Sequence, residues 1–398
     1  MDKRLKLNKQ EILFFSAFIF YCGALFMDVI ALEDNRTIKQ ILVLCSVTLL
    51  IADFCLFQSI SLRYIKKLTW KRILLFLFIF YVVIISFMTQ NYFLISILLF
   101  SLNFNHIERD KILRVSMYTI MIFTLLTMFA CLLGLLPNVQ NLRVGLSDGG
   151  VRVRNGLGFK GSLFMPNNLV YILAYYYSTK KKSHISEYIV FFIAGIIIYK
   201  LCDSRNGILT LNLLLVLQIF WQAIDTSSLK VKYRIRGLIE RGSKVSYLAC
   251  ALISFVLLYA YKQGNMWVVV IDELISGRVR WVYMNTLKKP FEWIHIENST
   301  DFANSLLYAY DDGYYYIVAR YGYFMLIILI LLSMQIAEYL ISRKNYRGLI
   351  SFAVVALVNF VDNGFISYGF YPYILIGISY VIEKNVKKIH SAIGERKW

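Results

Sequence analysis

The sequence predicts an all-α membrane protein: about twelve transmembrane helices and one long loop on the outer face. Three observations predict it. Apolar segments of membrane-crossing length recur from one end of the chain to the other. Hydrophobic residues make up 59% of the 398, against roughly 45–50% in a soluble domain. Lysines and arginines are dense in every second connection and sparse in the others.

A helix that crosses the hydrocarbon core needs roughly 20 mostly apolar residues. The segments that read as spans are 11–32, 39–61, 72–89, 91–104, 114–136, 164–179, 187–202, 206–224, 246–262, 320–341, 349–366 and 368–383. The shortest are 91–104 and 368–383. The first run lacks a small-residue cleavage site, so it is expected to stay as an anchor. The chain 1–398 thus reads as a single integral membrane domain with two notable outer loops, 137–163 and 263–319.

Basic residues orient these spans. With the N-terminus inside, the inner segments hold the clusters Lys3 to Lys9, Arg63 to Arg72, Arg109 to Arg114, Lys180 to Lys182, Lys230 to Lys244, Arg343 to Arg347 and Lys384 to Lys397. These are most of the 43 basic residues, and both termini are then cytoplasmic. The net charge of +19 reads as this topology signal together with attraction to anionic inner-leaflet lipid. Nucleic acid is not an expected partner, because no basic domain stands apart from the membrane. Cys22, Cys45, Cys55, Cys131, Cys202 and Cys250 all fall within spans and read as small apolar packers. Of four histidines only His295 is outside, so no metal and no cofactor is expected.

Polar clusters gather on the outer side. The loop 137–163 carries Arg152 and Arg154 among glycines. Glycine lets backbone approach a ligand closely, and arginine offers a planar fork that matches phosphate. The loop 263–319 has room for short helices lying on the membrane. It mixes Trp267, Trp281 and Trp293 with Asp272, Arg278, Arg280, Asp311 and Asp312. Aromatics at this depth serve as an interfacial belt or as platforms for sugar rings. The turn Asp203-Ser204-Arg205-Asn206-Gly207 starts a span, and a helix start presents free N–H groups and the positive dipole end to an anion. Within the spans themselves, only Asp28 and Asp53 are expected to lie deep.

Several of these residues resemble a known family. Arg154-Asn155-Gly156-Leu157-Gly158-Phe159 followed by Pro166-Asn167, then Ser204-Arg205, then Ser276-Gly277-Arg278 with Trp281, occur in the order seen in O-antigen and capsular polysaccharide polymerases, which are related to the O-antigen ligases. In those families the long loop ends in His-Asn, with a glycine eleven residues after the His. Here Asp311-Asp312 stands at that spacing before Gly322 and the His is absent. The resemblance covers roughly 140–345.

The resemblance implies a metal-independent glycosyltransferase of the bacterial cell (inner) membrane, with a fold like that of the large helical membrane glycosyltransferases that use lipid-phosphate donors. Its substrates would be polyprenyl-pyrophosphate-linked oligosaccharides, joined at the outer face into a capsule, O-antigen or exopolysaccharide. A flippase and a chain-length regulator would be its partners. On this reading Arg152, Arg154, Arg205, Arg278, Arg280, Trp281 and Asp312 bind substrate, and Asp311 or His295 takes the proton of the acceptor hydroxyl. A glycan ligase shares the layout. A lipid-linked-oligosaccharide flippase has a similar number of spans but carries charge inside its bundle.

Overall fold

A computed structural model describes residues 7–32, 35–57, 84, 93–104, 107–144, 151–226, 228–275, 277–295, 311–362 and 368–394. Among them the chain forms fourteen helices and one β-hairpin. The helices are α1 (Lys9–Met27), α2 (Arg36–Phe57), α3 (Phe93–Asn103), α4 (Arg109–Leu132), α5 (Phe164–Thr179), α6 (Ile185–Cys202), α7 (Arg205–Asp225), α8 (Leu229–Lys262), α9 (Met266–Leu274), α10 (Arg278–Lys288), α11 (Gly313–Tyr321), α12 (Tyr323–Ser342), α13 (Tyr346–Val361) and α14 (Tyr371–Gly394). Seven of them, α1, α2, α4, α6, α7, α8 and α12, are long and apolar enough to cross a membrane; Tyr346–Phe360 and Tyr371–Val381 are shorter apolar helices. Apart from residue 84, the expected span 72–89 lies outside the described residues.

Helix ends follow from local chemistry. Asn8 and Glu11 cap α1 reciprocally: the Asn8 side chain accepts the Glu11 amide at 2.7 Å, and Glu11 accepts the Asn8 amide at 3.0 Å. Glu11 also receives Lys111 Nζ at 2.6 Å, which ties α1 to α4 at the basic end of the bundle. Asn345 opens α13 by accepting the Gly348 amide at 2.9 Å.

Helix α13 is central, packing on α5, α7, α8, α11 and α12. Val355, Ala356 and Val358 on it are fully or almost fully buried. Rings fill much of the rest of the core, with Phe14, Phe18, Phe100, Tyr175, Tyr247, Tyr371 and Tyr373 fully enclosed. Outward faces keep large apolar side chains, such as Leu44, Leu126 and Leu209, as a lipid-facing surface does.

Four expectations change. The loop 137–163 is not wholly irregular: β1 (Gln140–Val144) and β2 (Val151–Asn155) form an antiparallel hairpin with Gln140 opposite Asn155 and Val144 opposite Val151, so the architecture is helical with one small sheet. Alternation of Val151 and Val153 with arginines is a two-residue period, which suits a strand. The basic stretch after Leu229 is not a loop but the first half of α8, 34 residues and about 51 Å long. It carries no proline or paired glycines to stop it. The expected span 320–341 is divided at Gly322, whose φ of 88° no side chain adopts easily. Asp28 is not deep in a span; it sits half-exposed at the end of α1 and holds Lys39 Nζ at 2.6 Å.

Candidate functional site

Two polar clusters form where the sequence places its motifs. The first surrounds the start of α7. Asn155 at the end of β2 donates to the Leu201 carbonyl at 3.1 Å, which seats the hairpin on the last turn of α6. That contact brings Arg154 Nε to 3.9 Å from Asp203. The Phe159 ring is fully buried against Phe26 and Phe164, so much of the Arg-Asn-Gly-Leu-Gly-Phe motif works as a plug that anchors the hairpin to α1. Ser204 is buried, and among the described residues its Oγ has no hydrogen-bond partner. A Cβ on Gly207 would overlap Pro166, so only glycine lets the starts of α5 and α7 meet. Next to Pro166, Asn167 donates to the carboxylate of Asp362 at the end of α13. Arg205 is exposed on the first turn of α7. Arg152 stands opposite Arg143 in the hairpin, and its side chain lies outside the description.

The second cluster joins α8, α9, α10 and α11. Asp272 near the end of α9 accepts the amides of Val279 and Arg280 at 2.8 and 3.3 Å, so α9 caps α10 from the side. Burial raises the Asp272 carboxyl above its ordinary value even though these amides favour its charge. The capped turn presents Arg278, which is 4% exposed. Its Nη1 donates to the Ile275 carbonyl at 3.3 Å, and its Nε lies 3.5 Å from Asp311. Two motifs 33 residues apart in sequence thus share one ion pair. Asp311 keeps 29% of its side chain open to the surroundings.

Asp312 does something else. Its Oδ1 accepts the amides of Tyr314 and Tyr315 at 2.8 and 3.2 Å, and its Oδ2 accepts the Ser254 hydroxyl at 2.7 Å. Both oxygens are taken by protein, so the carboxylate caps α11 and pins it to α8 instead of facing substrate. Burial pushes the Asp312 carboxyl up to about 7, against those hydrogen bonds and the charge of Arg278. His295 is buried with Nδ1 3.0 Å from Glu292. Its segment runs along the break between α11 and α12, where Tyr323 and Phe324 donate to the carbonyls of Glu292 and Trp293 at 3.1 Å each. Arg280 is exposed on α10 and Trp281 half-exposed beside it.

Sequence reasoning groups Asp272 with the loop's polar residues but gives it no role, and it misses Ser254 and Asp362 as members of these clusters. It also missed buried charge: Arg320 and Arg347 are each 4% exposed. The signal for Ser254 and Arg320 was visible, since each breaks an apolar run. Among the described residues no three His, Cys, Asp or Glu side chains are grouped so as to hold a metal ion.

No known protein family, no characterised protein and no solved structure matches the chain.

Proposed function

We propose that the chain is a polysaccharide polymerase that joins polyprenyl-pyrophosphate-linked repeat units at the outer face of a bacterial cell membrane. The observation that carries this reading is the Arg278–Asp311 pair at 3.5 Å. It puts a buried guanidinium, suited to a phosphate, beside a partly open carboxylate, suited to a hydroxyl proton.

The chemistry follows from those two groups. The acceptor hydroxyl attacks the anomeric carbon of the donor sugar, and the bond to the lipid pyrophosphate breaks. Negative charge grows on the departing pyrophosphate, and preorganised arginine forks stabilise it best when water is excluded. Arg278 serves here, with Arg154 and Arg205 as forks contributed from the hairpin and the start of α7. Asp311 accepts the hydroxyl proton as the new bond forms. Before donor arrives, the same carboxylate compensates Arg278; a pyrophosphate that engages Arg278 frees Asp311 for the hydroxyl.

A second reading has a specific observation in its favour. Buried Arg320 and Arg347 are the kind of intrabundle charge that transporters carry, so a lipid-linked-oligosaccharide flippase is the alternative. The glycan profile of a deletion strain separates the two. A polymerase deletion leaves single lipid-linked repeats on the outer face, never chained. A flippase deletion leaves them on the inner face. Normal polymer in the deletion strain refutes both.

A further inference from the structure

At the opposite end of the bundle from Arg278 lies a second buried guanidinium with no acid against it. Arg347, on the first turn of α13, is 4% exposed. Its Nε donates to Gln218 on α7 at 3.1 Å. Its Nη2 donates to Ser183 Oγ at 2.9 Å and to the Tyr188 hydroxyl at 3.0 Å. Its Cζ lies 4.8 Å from the centre of the Tyr177 ring. These partners are neutral, and among the described residues no carboxylate lies within ion-pair distance of Arg347. The nearby Glu187 is committed elsewhere: Lys180 Nζ and the Tyr176 hydroxyl each hold it at 2.6 Å.

Two polar atoms of this group are left over. Among the described residues, Arg347 Nη1 and the Tyr177 hydroxyl are both buried without a hydrogen-bond partner. A guanidinium stays charged under any physiological condition. Out of water, a charge that lacks a counter-ion is costly, and a buried donor left unmade adds to that cost. The surroundings add more positive charge, with Lys180, Lys181 and Lys182 preceding Ser183 and Arg343 and Lys344 preceding α13. The two free atoms have the complementarity of an oxyanion site. Nη1 and a phenol O–H both donate, the first turn of α13 adds the positive end of a helix, and the nearby carboxylate of Glu187 is already taken by Lys180 and Tyr176.

We propose that Arg347 and Tyr177 form a phosphate-binding site at the basic end of the bundle. It is separate from the outer-face chemistry above and would hold true if that reading failed. The ligand is a phosphate oxyanion, and it has two sources: free phosphate or the head group of an anionic phospholipid.

The experiment uses the full chain purified in detergent. Its unfolding temperature is followed during titration with sodium phosphate, with sodium chloride at matched ionic strength as control. A second arm reconstitutes the protein in nanodiscs of phosphatidylcholine with or without phosphatidylglycerol. In the first arm phosphate raises the unfolding temperature where chloride does not, and Arg347→Gln abolishes the increment. If the lipid head group is the source, the increment appears with phosphatidylglycerol instead and is again lost in Arg347→Gln. Tyr177→Phe keeps the ring under the guanidinium and removes only the hydroxyl. It should weaken the half-saturating phosphate or lipid about tenfold, as expected for one charge-assisted bond, and it keeps the test decisive if Arg347→Gln does not fold. Wild type that responds to neither ligand, or a Tyr177→Phe response equal to wild type, overturns the site.

Discussion

Arg278 and Arg347 are equally buried, at 4% exposure each, yet they are settled in opposite ways. Arg278 has a carboxylate beside it and one backbone carbonyl. Arg347 has two hydroxyls, an amide oxygen and a ring. The difference is one of replaceability. An ion pair with a partly open carboxylate can be exchanged: a competing anion takes the guanidinium, and the released Asp311 still reaches solvent or substrate. A web of neutral partners on α5, α6, α7 and the turn at Ser183 cannot be exchanged without unsatisfying several helices together. The first arrangement suits chemistry and the second suits holding helices, with an anion added to the web rather than substituted into it.

The largest effect that could break this contrast is at Asp311. Asp311→Asn keeps size and most hydrogen-bonding geometry but removes the proton-accepting carboxylate, so on the proposed mechanism chain growth should fall roughly 10²–10⁴-fold with protein level in the membrane unchanged. Rates are read from polymer formed per unit time on purified lipid-linked repeats. A nearly active Asn variant would leave Asp311 as a holder of the loop and move the base to His295, whose His295→Ala change would then abolish growth. Next is Arg278→Lys, which keeps the charge but not the fork. It should lose on the order of 10²–10³-fold in the same assay. Full polymer in this variant would show that Arg278 only balances Asp311.

Two smaller effects sharpen the structural half of the contrast. Asp312 is held protonated by burial up to about pH 7, while in the unfolded chain it ionises near the ordinary carboxyl value of 3.8. Between those values the folded state binds the extra proton. Stability from this group is therefore complete below about pH 4, falls as pH rises toward 7, and is flat above that. Over that window the loss should be a few kcal/mol at most. Unfolding of the purified protein followed across pH 4–8 should show this fall, and Asp312→Asn should flatten it. A fall that persists in the Asn variant assigns it to another group. The smallest effect is Ser254→Ala, which removes the hydroxyl donor to Asp312 Oδ2 and should cost about 1–3 kcal/mol of stability. A loss near zero would mean that the α8–α11 junction is held by packing alone.

Much of the architecture is legible from hydropathy, because lipid demands that backbone be satisfied within helices. The starts of α5, α6 and α7 fall within about two residues of where apolar periodicity puts them. What hydropathy cannot see is what the chain does between spans. Whether Leu229 to Lys244 is loop or helix depends on contacts with its neighbours: Asp225 holds Lys232 Nζ at 2.7 Å, and Glu240 accepts the Tyr346 hydroxyl at 2.7 Å. A polar segment stabilised in this way carries no apolar signature. The candidate site was legible as residue types but not as partnerships. Asp311 and Asp312 are adjacent and chemically identical in sequence. Only the fold gives one an arginine and the other a serine and two amides. Arg347 was read as a topology marker among other basic residues, because burial is invisible in a charge count.

The break at Gly322 sets what can vary at the rim. A Cβ there would overlap the Trp293 carbonyl, and the segment before His295 is held to the break by main-chain bonds from Tyr323 and Phe324. Main-chain bonds do not discriminate among side chains. The exposed residues 293 and 294 can therefore drift in identity, and so change what the loop offers to a ligand, while the seam that positions them stays intact. The seam itself needs Gly322, where a Cβ would meet the Trp293 backbone. A chain built in this way can acquire a new preference at its rim by ordinary substitution and keep its bundle untouched, provided that position 322 remains glycine.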